Sequence, residues 1–367
     1  MNKVVGCSLL SVLSIVVPVT ANAEDAAPPA PGITTEMIDM MDQLPGEIGA
    51  LGKVTIPFNN HQTPEKVELG KMLYFDNQLS GDHSMSCATC HAPDKGFSDN
   101  HPLTIGFGKQ ELGRHSPTVL NTAYNSVQFW DGRAGTLEQQ AAGPIMAAGE
   151  MNMSSEEELV KRLSAASEYE GRFEEVFREG PSLSNVAKAI AAYERTIVSR
   201  NSPFDKYAAG DKSALTETEK RGLILFIGKA SCTQCHSGAN FTDNGFHNLG
   251  VPQMGPAKED VGRYAVTKDD ADMGAFKTPT LRNIAQSAPY MHCGSHDTLR
   301  EVVEFYNEGG GDHANKSDKM FELNLTDTEI DDLVAFLESL TGPVEGFENT
   351  RIAEVNNTRQ TSDVSGD

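Results

Sequence analysis

The stretch Cys87-Ala88-Thr89-Cys90-His91 recurs as Cys232-Thr233-Gln234-Cys235-His236, and both are copies of the pattern C-x-x-C-H. This pattern is typical of c-type haem attachment. Two thiols one helical turn apart can form thioethers to the two vinyl groups of one porphyrin, and the adjacent histidine then faces the iron. The sequence therefore predicts two covalently bound haem c groups, attached at Cys87, Cys90, Cys232 and Cys235, with His91 and His236 as iron ligands.

Paired cysteines also occur in redox dithiols and in zinc sites. Neither a redox dithiol nor a zinc site built from the four thiols requires a histidine directly after the second cysteine of each pair. Both alternatives are therefore less favoured than haem. Cys293 belongs to neither motif, and we expect it to be a buried small hydrophobe rather than a reactive thiol.

The N-terminus has the features of a secretory signal peptide. Lys3 precedes an apolar run over residues 4–19, and Ala21-Asn22-Ala23 stands before Glu24. A membrane anchor is the alternative, but this run is shorter than the roughly 20 residues that a spanning helix needs. We therefore expect export to the periplasm, cleavage after Ala23, and no membrane span.

Charge and length restrict the function classes. The 367 residues include 30 Lys plus Arg and 52 Asp plus Glu, for a formal net charge of -22. A chain this acidic is poorly suited to bind nucleic acid or anionic membranes, and it suits a basic partner better. At roughly 100–200 residues per domain, the length indicates two domains.

A similar helical segment precedes each C-x-x-C-H motif, which suggests a duplication. The first begins at Thr63 and contains Gly70, the second begins at Thr216 and contains Gly222, and in both the glycine is followed by a leucine and an aromatic residue. We predict a mainly α fold with two tandem cytochrome c-like haem domains. The predicted limits are a signal peptide at 1–23, a tether and lead-in at 24–60, the haem domains at 61–205 and 206–345, and a polar tail at 346–367.

Several further helices are predicted from apolar periodicity and capping residues. They cover residues 155–163, residues 183–198 and a segment that begins at Thr326. Residues 94–113 and 238–275 are rich in Gly, Asp and Asn and are expected to be loops. No alternating pattern indicates a large sheet.

Other motifs resemble the bacterial di-haem cytochrome c peroxidase and MauG family over residues 63–342. The matching stretches are Ser116-Pro117-Thr118-Val119-Leu120-Asn121, Gln128-Phe129-Trp130-Asp131-Gly132-Arg133-Ala134, Gly143-Pro144-Ile145, Glu150-Met151, Pro279-Thr280-Leu281-Arg282-Asn283 and Ala288-Pro289-Tyr290-Met291-His292. The resemblance implies an enzyme that uses hydrogen peroxide. The His91 haem would react with peroxide, and the His236 haem would store or relay an electron.

The resemblance also implies roles for three further residues. Trp130 matches the tryptophan that lies between the haems, although a core residue at a domain interface is the simpler interpretation. Gln140 and Glu150 match residues above the peroxide-reacting iron. A carboxylate there can take a proton from one peroxide oxygen and return it to the leaving oxygen.

Two departures from the family pattern concern the iron ligands. Phe107 occupies the place of a histidine that caps the resting N-terminal haem in many members, so we expect that haem to lack a sixth protein ligand unless His101 or His115 substitutes. Tyr306 replaces the methionine that ligates the C-terminal haem, as in MauG-like members. A tyrosinate is an anionic donor that favours oxidised iron. The alternative for Tyr306 is an ordinary interfacial helix residue.

Two other departures concern calcium and the substrate. Ser287 and Pro289 match carbonyl ligands of the calcium site in family members, but His115 stands in place of its asparagine. Imidazole is a poor ligand for a hard cation, so calcium is a less favoured cofactor than haem. Ala230 stands where MauG has a surface tryptophan used in oxidising its partner, so the same protein substrate is not expected.

The sequence thus predicts a periplasmic di-haem peroxidase-type oxidoreductase. Its electrons would come either from a small redox protein, a cytochrome c or cupredoxin, or from a side chain of an oxidisable partner protein. Phe107 and Tyr306 favour the second source. The rival from another class is a non-enzymatic di-haem electron-transfer cytochrome. A monomer or homodimer is expected.

Overall fold

The computed structural model describes residue 34, residues 48–255 and residues 259–345. The predicted signal peptide, most of the lead-in and the polar tail lie outside these residues. The described part is mainly helical, which confirms the predicted fold class. Its helices are α1 Pro64–Tyr74, α2 Cys87–Cys90, α3 Leu137–Met146, α4 Glu156–Ala165, α5 Arg172–Phe177, α6 Leu183–Glu194, α7 Pro203–Ala208, α8 Glu217–Ile227, α9 Tyr264–Thr267, α10 Leu299–Asn307 and α11 Asp327–Ser339.

The sheet content of the described residues is small. Strands β1 (Phe246–His247) and β2 (Phe276–Lys277) form one antiparallel pair of two residues each. Short 3₁₀ turns interrupt the loops, at Asn77–Leu79, Pro93–Lys95, Phe107–Lys109, Thr122–Tyr124, Ser167–Tyr169, Cys232–Gln234, Asp270–Asp272 and Ile284–Gln286. None of the helices in the described ranges is long and apolar enough to cross a membrane.

The predicted helix starts are confirmed by their capping contacts. The Thr63 side chain accepts a hydrogen bond from the Lys66 amide, and a proline follows in the first turn of α1. Helices α8 and α11 begin with reciprocal capping boxes, from Thr216 and Thr326 respectively. These contacts satisfy backbone donors that would otherwise lack partners at a helix start.

Each domain is organised around one tight helix crossing. Helix α1 packs on α6 where a side chain at Gly70 would collide with the Ala189 carbonyl. Helix α8 packs on α11 where a side chain at Gly222 would collide with the Asp332 carbonyl. The two glycines noted in the sequence therefore perform the same task, because only a residue without Cβ lets the helix backbones approach this closely.

The buried apolar residues form two separate cores. The first gathers residues between Leu69 and Ile197, and the second gathers residues between Phe204 and Leu340. Each core also takes one residue from a distant part of the chain, since Val344 packs into the first and Ile48 into the second. The lead-in therefore contacts the second core before the chain enters the first.

A pair of matching turns supports the interpretation of a duplication. Gln128 pairs with Ala134, and Tyr290 pairs with His296, each as an isolated antiparallel bridge. A capped helix follows each turn, α3 after Thr136 and α10 after Thr298. The turn containing Trp130 thus has a counterpart in the second domain.

Candidate active site

The first cavity has a volume of about 500 Å³ and lies in the N-terminal domain. It brings together six of the residues predicted from the sequence, namely Cys87, Cys90, His91, Trp130, Gln140 and Glu150. The motif cysteines lie on the one-turn helix α2, whose short length places both thiols and the following histidine on the same wall.

His91 is held in the form that suits an iron ligand. Its Nδ1 lies 3.3 Å from the Phe97 carbonyl oxygen, and the Tyr74 hydroxyl donates to the His91 carbonyl at 2.9 Å. Burial lowers the pKa of the His91 imidazole, so the ring is neutral near pH 7. With the proton on Nδ1 donated to a carbonyl, Nε2 is the nitrogen that can bind iron.

The second cavity has a volume of about 600 Å³ and contains the other predicted set, Cys232, Cys235, His236 and Tyr306. The His236 Nδ1 lies 3.0 Å from the Phe241 carbonyl oxygen, and burial lowers the pKa of the imidazole to about 4. Tyr306 comes from α10, and burial raises the pKa of its hydroxyl. Ionisation of this buried phenol would therefore need a nearby cation.

Polar groups in the two cavities fit a haem with its carboxylates. In the first, Thr104 Oγ1 and Glu194 Oε2 are buried without a protein partner, and burial raises the pKa of Glu194 to about 8, which leaves it a neutral donor. In the second, the buried Lys277 donates through Nζ to the Thr278 carbonyl at 2.8 Å. A haem brings two carboxylates, and donors of this kind in each cavity are suited to hold such groups.

Trp130 lies in the wall shared by both cavities. Its indole Nε1 donates to the His115 carbonyl oxygen at 2.9 Å, and its own carbonyl accepts from the Lys277 amide at 2.7 Å. The first contact is within the N-terminal domain and the second reaches β2 of the C-terminal domain. Trp130 is therefore an interface residue that lies between the two candidate haem sites.

The two residues predicted to lie above the first iron, Gln140 and Glu150, are on and just after α3. Gln140 is on the helix, and Glu150 is in the turn that follows, where its amide donates to the Ala147 carbonyl at 3.0 Å. Burial raises the pKa of the Glu150 carboxyl, an effect opposed by Arg133, whose Nη2 lies 3.9 Å from Glu150 Oε1. A half-buried carboxyl with a raised pKa is suited to accept and return a proton.

Phe107, which replaces the capping histidine, and the two histidines that could substitute for it lie in different places. Phe107 packs against the first core and does not line the cavity, whereas its neighbour Gly106 does. His101 is on the surface and outside both cavities. His115 lines both, but its ring nitrogens contact Ser98 Oγ at 3.3 Å and the His101 carbonyl at 2.7 Å. Among the described histidines that line this cavity, only His91 thus has a ring nitrogen left for iron.

The structure also shows the surroundings of His115 and Cys293, neither of which belongs to a C-x-x-C-H motif. Both ring nitrogens of His115 contact protein oxygens, and the expectation about calcium stays a prediction. Cys293 is fully buried, with Sγ 3.4 Å from the Pro252 carbonyl oxygen, and burial raises the pKa of its thiol. It therefore has the surroundings of a structural cysteine.

The sequence did not predict a set of ion pairs that lines the first cavity. Arg114 contacts Asp131 at 2.7 Å and Asp260 at 2.6 Å, and so links the two domains. Lys277 was also missed, although it stands two residues before the matching stretch that begins at Pro279. For Arg114 and Lys277 the available signal was their position, each two residues before a matching stretch. Asp260 adjoins none of these stretches.

Comparisons with known proteins agree with this geometry. A family model described as di-haem cytochrome c peroxidase matches residues 64–213, and a cytochrome c model matches residues 219–341. The chain is 44% identical over 288 residues to methylamine utilization protein MauG of Methylorubrum extorquens, a match that covers 77% of this chain and 80% of that protein. It is 39% identical over 325 residues to cytochrome-c peroxidase IdrP1 of Pseudomonas sp. (strain SCT), with 80% and 85% covered.

A solved structure has the same architecture. The crystal structure of a MauG-like protein associated with microbial copper homeostasis superimposes with a TM-score of 0.74 at 34% identity, over 80% of this chain and 93% of that chain. The two haem c cofactors and the peroxidase-type oxidoreductase class follow from these matches. The chain belongs to the di-haem cytochrome c peroxidase and MauG family.

Proposed function

We propose that this protein is a periplasmic enzyme that reduces hydrogen peroxide at the His91 haem and draws the electrons from a side chain of a partner protein. The observation that supports it most is the composition of the first cavity. It holds a carboxyl and an amide, Glu150 and Gln140, together with a motif histidine whose Nε2 is free to bind iron.

A bound haem would supply the iron at which peroxide binds and the redox chemistry that breaks its O–O bond. The residues of this chain handle the protons. Glu150 takes the proton from the peroxide oxygen nearest the iron and returns it to the leaving oxygen, so that water leaves instead of hydroxide. Gln140 orients the peroxide through its side-chain amide, which has both a donor and an acceptor.

Two residues, Trp130 and Tyr306, determine how the second haem takes part in the reaction. Trp130 provides the protein contact between the two sites because it lines both cavities. Tyr306 would bind the iron of the second haem as an anionic donor, which would disfavour reduction by ordinary cytochromes and favour sharing of oxidising equivalents. This ligation directs the proposal towards oxidation of a partner protein and away from turnover of a small redox donor.

An EPR spectrum of the as-isolated diferric protein at low temperature tests the open first site. One high-spin and one low-spin haem are expected, followed by reaction with peroxide without prior reduction. Two low-spin haems would show that another residue caps the His91 iron. That result would return the protein to reductively activated peroxidases or to electron carriers.

Two assays then separate the electron sources. Peroxide-dependent oxidation of reduced cytochrome c is compared with side-chain oxidation in a protein that co-purifies with this enzyme. The proposal expects the second reaction to dominate. If neither reaction occurs and peroxide leaves the spectrum unchanged, the electron-carrier function is the better one.

A further inference from the structure

Five charged side chains form an alternating chain that runs from the domain interface to Glu150. Asp260 contacts Arg114 at 2.6 Å, and Arg114 contacts Asp131 at 2.7 Å. Asp131 contacts Arg133 at 3.1 Å, and Arg133 Nη2 lies 3.9 Å from Glu150 Oε1. All five line the first cavity.

Arg133 is fixed in place although it is partly exposed. Its Nη1 donates to both carboxylate oxygens of Asp131 at 3.1 Å, and its guanidinium carbon lies 3.5 Å from the centre of the Phe129 ring. Ion pairing combined with stacking on an aromatic ring restricts a guanidinium more than a single surface ion pair does. The contact with Glu150 therefore does not depend on a freely moving side chain.

The alternation of charges matters for Glu150. The negative charge of Asp131 is shared with Arg114, so Arg133 retains positive charge for its other neighbour. Burial raises the pKa of Glu150 and Arg133 lowers it. In the described part of the chain the Cys90 thiol also faces Glu150, and haem attachment converts it to a thioether that does not titrate.

We propose that Arg133 is a positioning residue for Glu150, which keeps that carboxylate ionised and directed into the first cavity. Asp131 and Phe129 hold Arg133 for this purpose. The inference rests on the proposed function, since it requires Glu150 to accept the peroxide proton. The proton passes from peroxide to a Glu150 oxygen and later returns to the leaving oxygen, while Arg133 neither gains nor loses one.

The test compares Arg133→Gln and Arg133→Lys in the holoprotein. The rate constant for the reaction with peroxide is measured by stopped flow across the pH range in which the protein is stable. In Arg133→Gln the acidic limb, the fall of this rate constant at low pH, should move to higher pH by about one unit. At a pH below this transition the rate constant is then roughly tenfold lower than in the wild type, and at higher pH it recovers. Arg133→Lys, which keeps the charge, shifts it less.

Arg300→Gln is the matched control. Arg300 is exposed to a similar extent, 38% against 42%, and it pairs with Glu304, Asp327 and Asp331 outside both cavities. The pH profile of Arg300→Gln should equal that of the wild type. An unmoved acidic limb in both Arg133 variants would overturn the inference. If Arg133→Gln does not load haem, Arg133→Met takes its place as the variant without the charge, and an unmoved limb in that variant overturns the inference.

Glu150→Gln separates this inference from the proposed function. If that variant keeps the wild-type rate and pH profile, Glu150 is not the proton acceptor and the proposed function fails. If it is slow while the Arg133 variants keep the wild-type limb, only the role of Arg133 fails. Infrared difference spectra give a direct reading, because the protonated carboxyl band lost in Glu150→Gln should titrate at higher pH in Arg133→Gln.

Discussion

The indole nitrogen of Trp130 donates a hydrogen bond to the carbonyl oxygen of His115 over 2.9 Å. The Lys277 amide holds the Trp130 carbonyl from the opposite domain at 2.7 Å. The first contact orients the indole ring within the N-terminal domain, and the second holds the Trp130 backbone against the C-terminal domain. The residue in the wall shared by the two candidate haem sites is therefore held by both domains.

Trp130→Phe should uncouple the two sites without removing either haem. The smaller ring keeps an aromatic group at the interface but loses the indole donor. After peroxide addition, oxidation of the His236 haem should slow by about tenfold or more, equivalent to about 1.4 kcal/mol of barrier. Rapid-scan absorption spectra follow this step.

Phe276→Leu is the control for Trp130→Phe. Phe276 stacks on His292 with ring centres 3.7 Å apart and lines only the second of the two cavities. Its replacement perturbs the second cavity while the Trp130 side chain and its hydrogen bond to His115 are kept. Equal slowing in both variants would show that interface packing, and not Trp130, governs the coupling.

Glu150→Gln should remove the acid limb of the peroxide reaction. Burial raises the pKa of this carboxyl above its usual 4.5, so its ionised form, the base, is present above the raised pKa and is lost as the pH falls through it. The amide has no such transition, and the rate should drop by about 10²–10⁴-fold at neutral pH. Glu174→Gln, on the exposed face of α5, should leave the profile unchanged.

Tyr306→Phe should raise the reduction potential of the second haem. Removing an anionic donor destabilises oxidised iron relative to reduced iron. We expect a rise of at least about 59 mV, a tenfold change in a one-electron equilibrium. Redox titration monitored by absorption gives the value, and EPR of the variant shows whether the ligand set has changed.

Met320→Leu tests the rival ligand in the same cavity. Met320 also lines the second cavity, and its thioether would bind iron as the methionine ligand does in peroxidases of the family. If Met320 were the ligand, Met320→Leu would change the low-spin EPR signal and Tyr306→Phe would not. The reverse pattern is the one expected here.

The sequence predicted those parts of the fold and site that depend on local spacing. The haem motifs, the capping residues Thr63, Thr216 and Thr326, and the helix glycines each belong to a pattern only a few residues long. Trp130, Gln140 and Glu150 came from the family resemblance, and all three line the first cavity. Their roles in the reaction stay predictions.

The parts that were missed depend on contacts between distant residues. Arg114 and Asp260 are 146 positions apart, and no periodicity connects them. Phe107 matches a ligand position by sequence, but the loop that carries it turns the ring towards the first core. Loop conformations of this kind are set by tertiary packing rather than by residue pattern.

Gly222→Ala should destabilise the second domain. A Cβ at this position would collide with the Asp332 carbonyl and press on Phe336 Cβ, so α8 and α11 must separate. Forcing a methyl group into such a crossing costs about 1–3 kcal/mol of unfolding free energy. The midpoint of thermal unfolding of the holoprotein, followed by calorimetry, should fall.

Gly70→Ala and Gly180→Ala complete the comparison. Gly70 lies at the equivalent crossing of α1 and α6, where a Cβ would collide with the Ala189 carbonyl, so its variant should lower the midpoint similarly. At Gly180 no neighbouring atom lies within 4 Å of the place that a methyl group would take, so stability should change by less than about 0.5 kcal/mol. Equal midpoints for Gly222→Ala and Gly180→Ala would show that the helices adjust freely. In that case the close approach of the helices at these glycines would not be what stabilises the two haem domains.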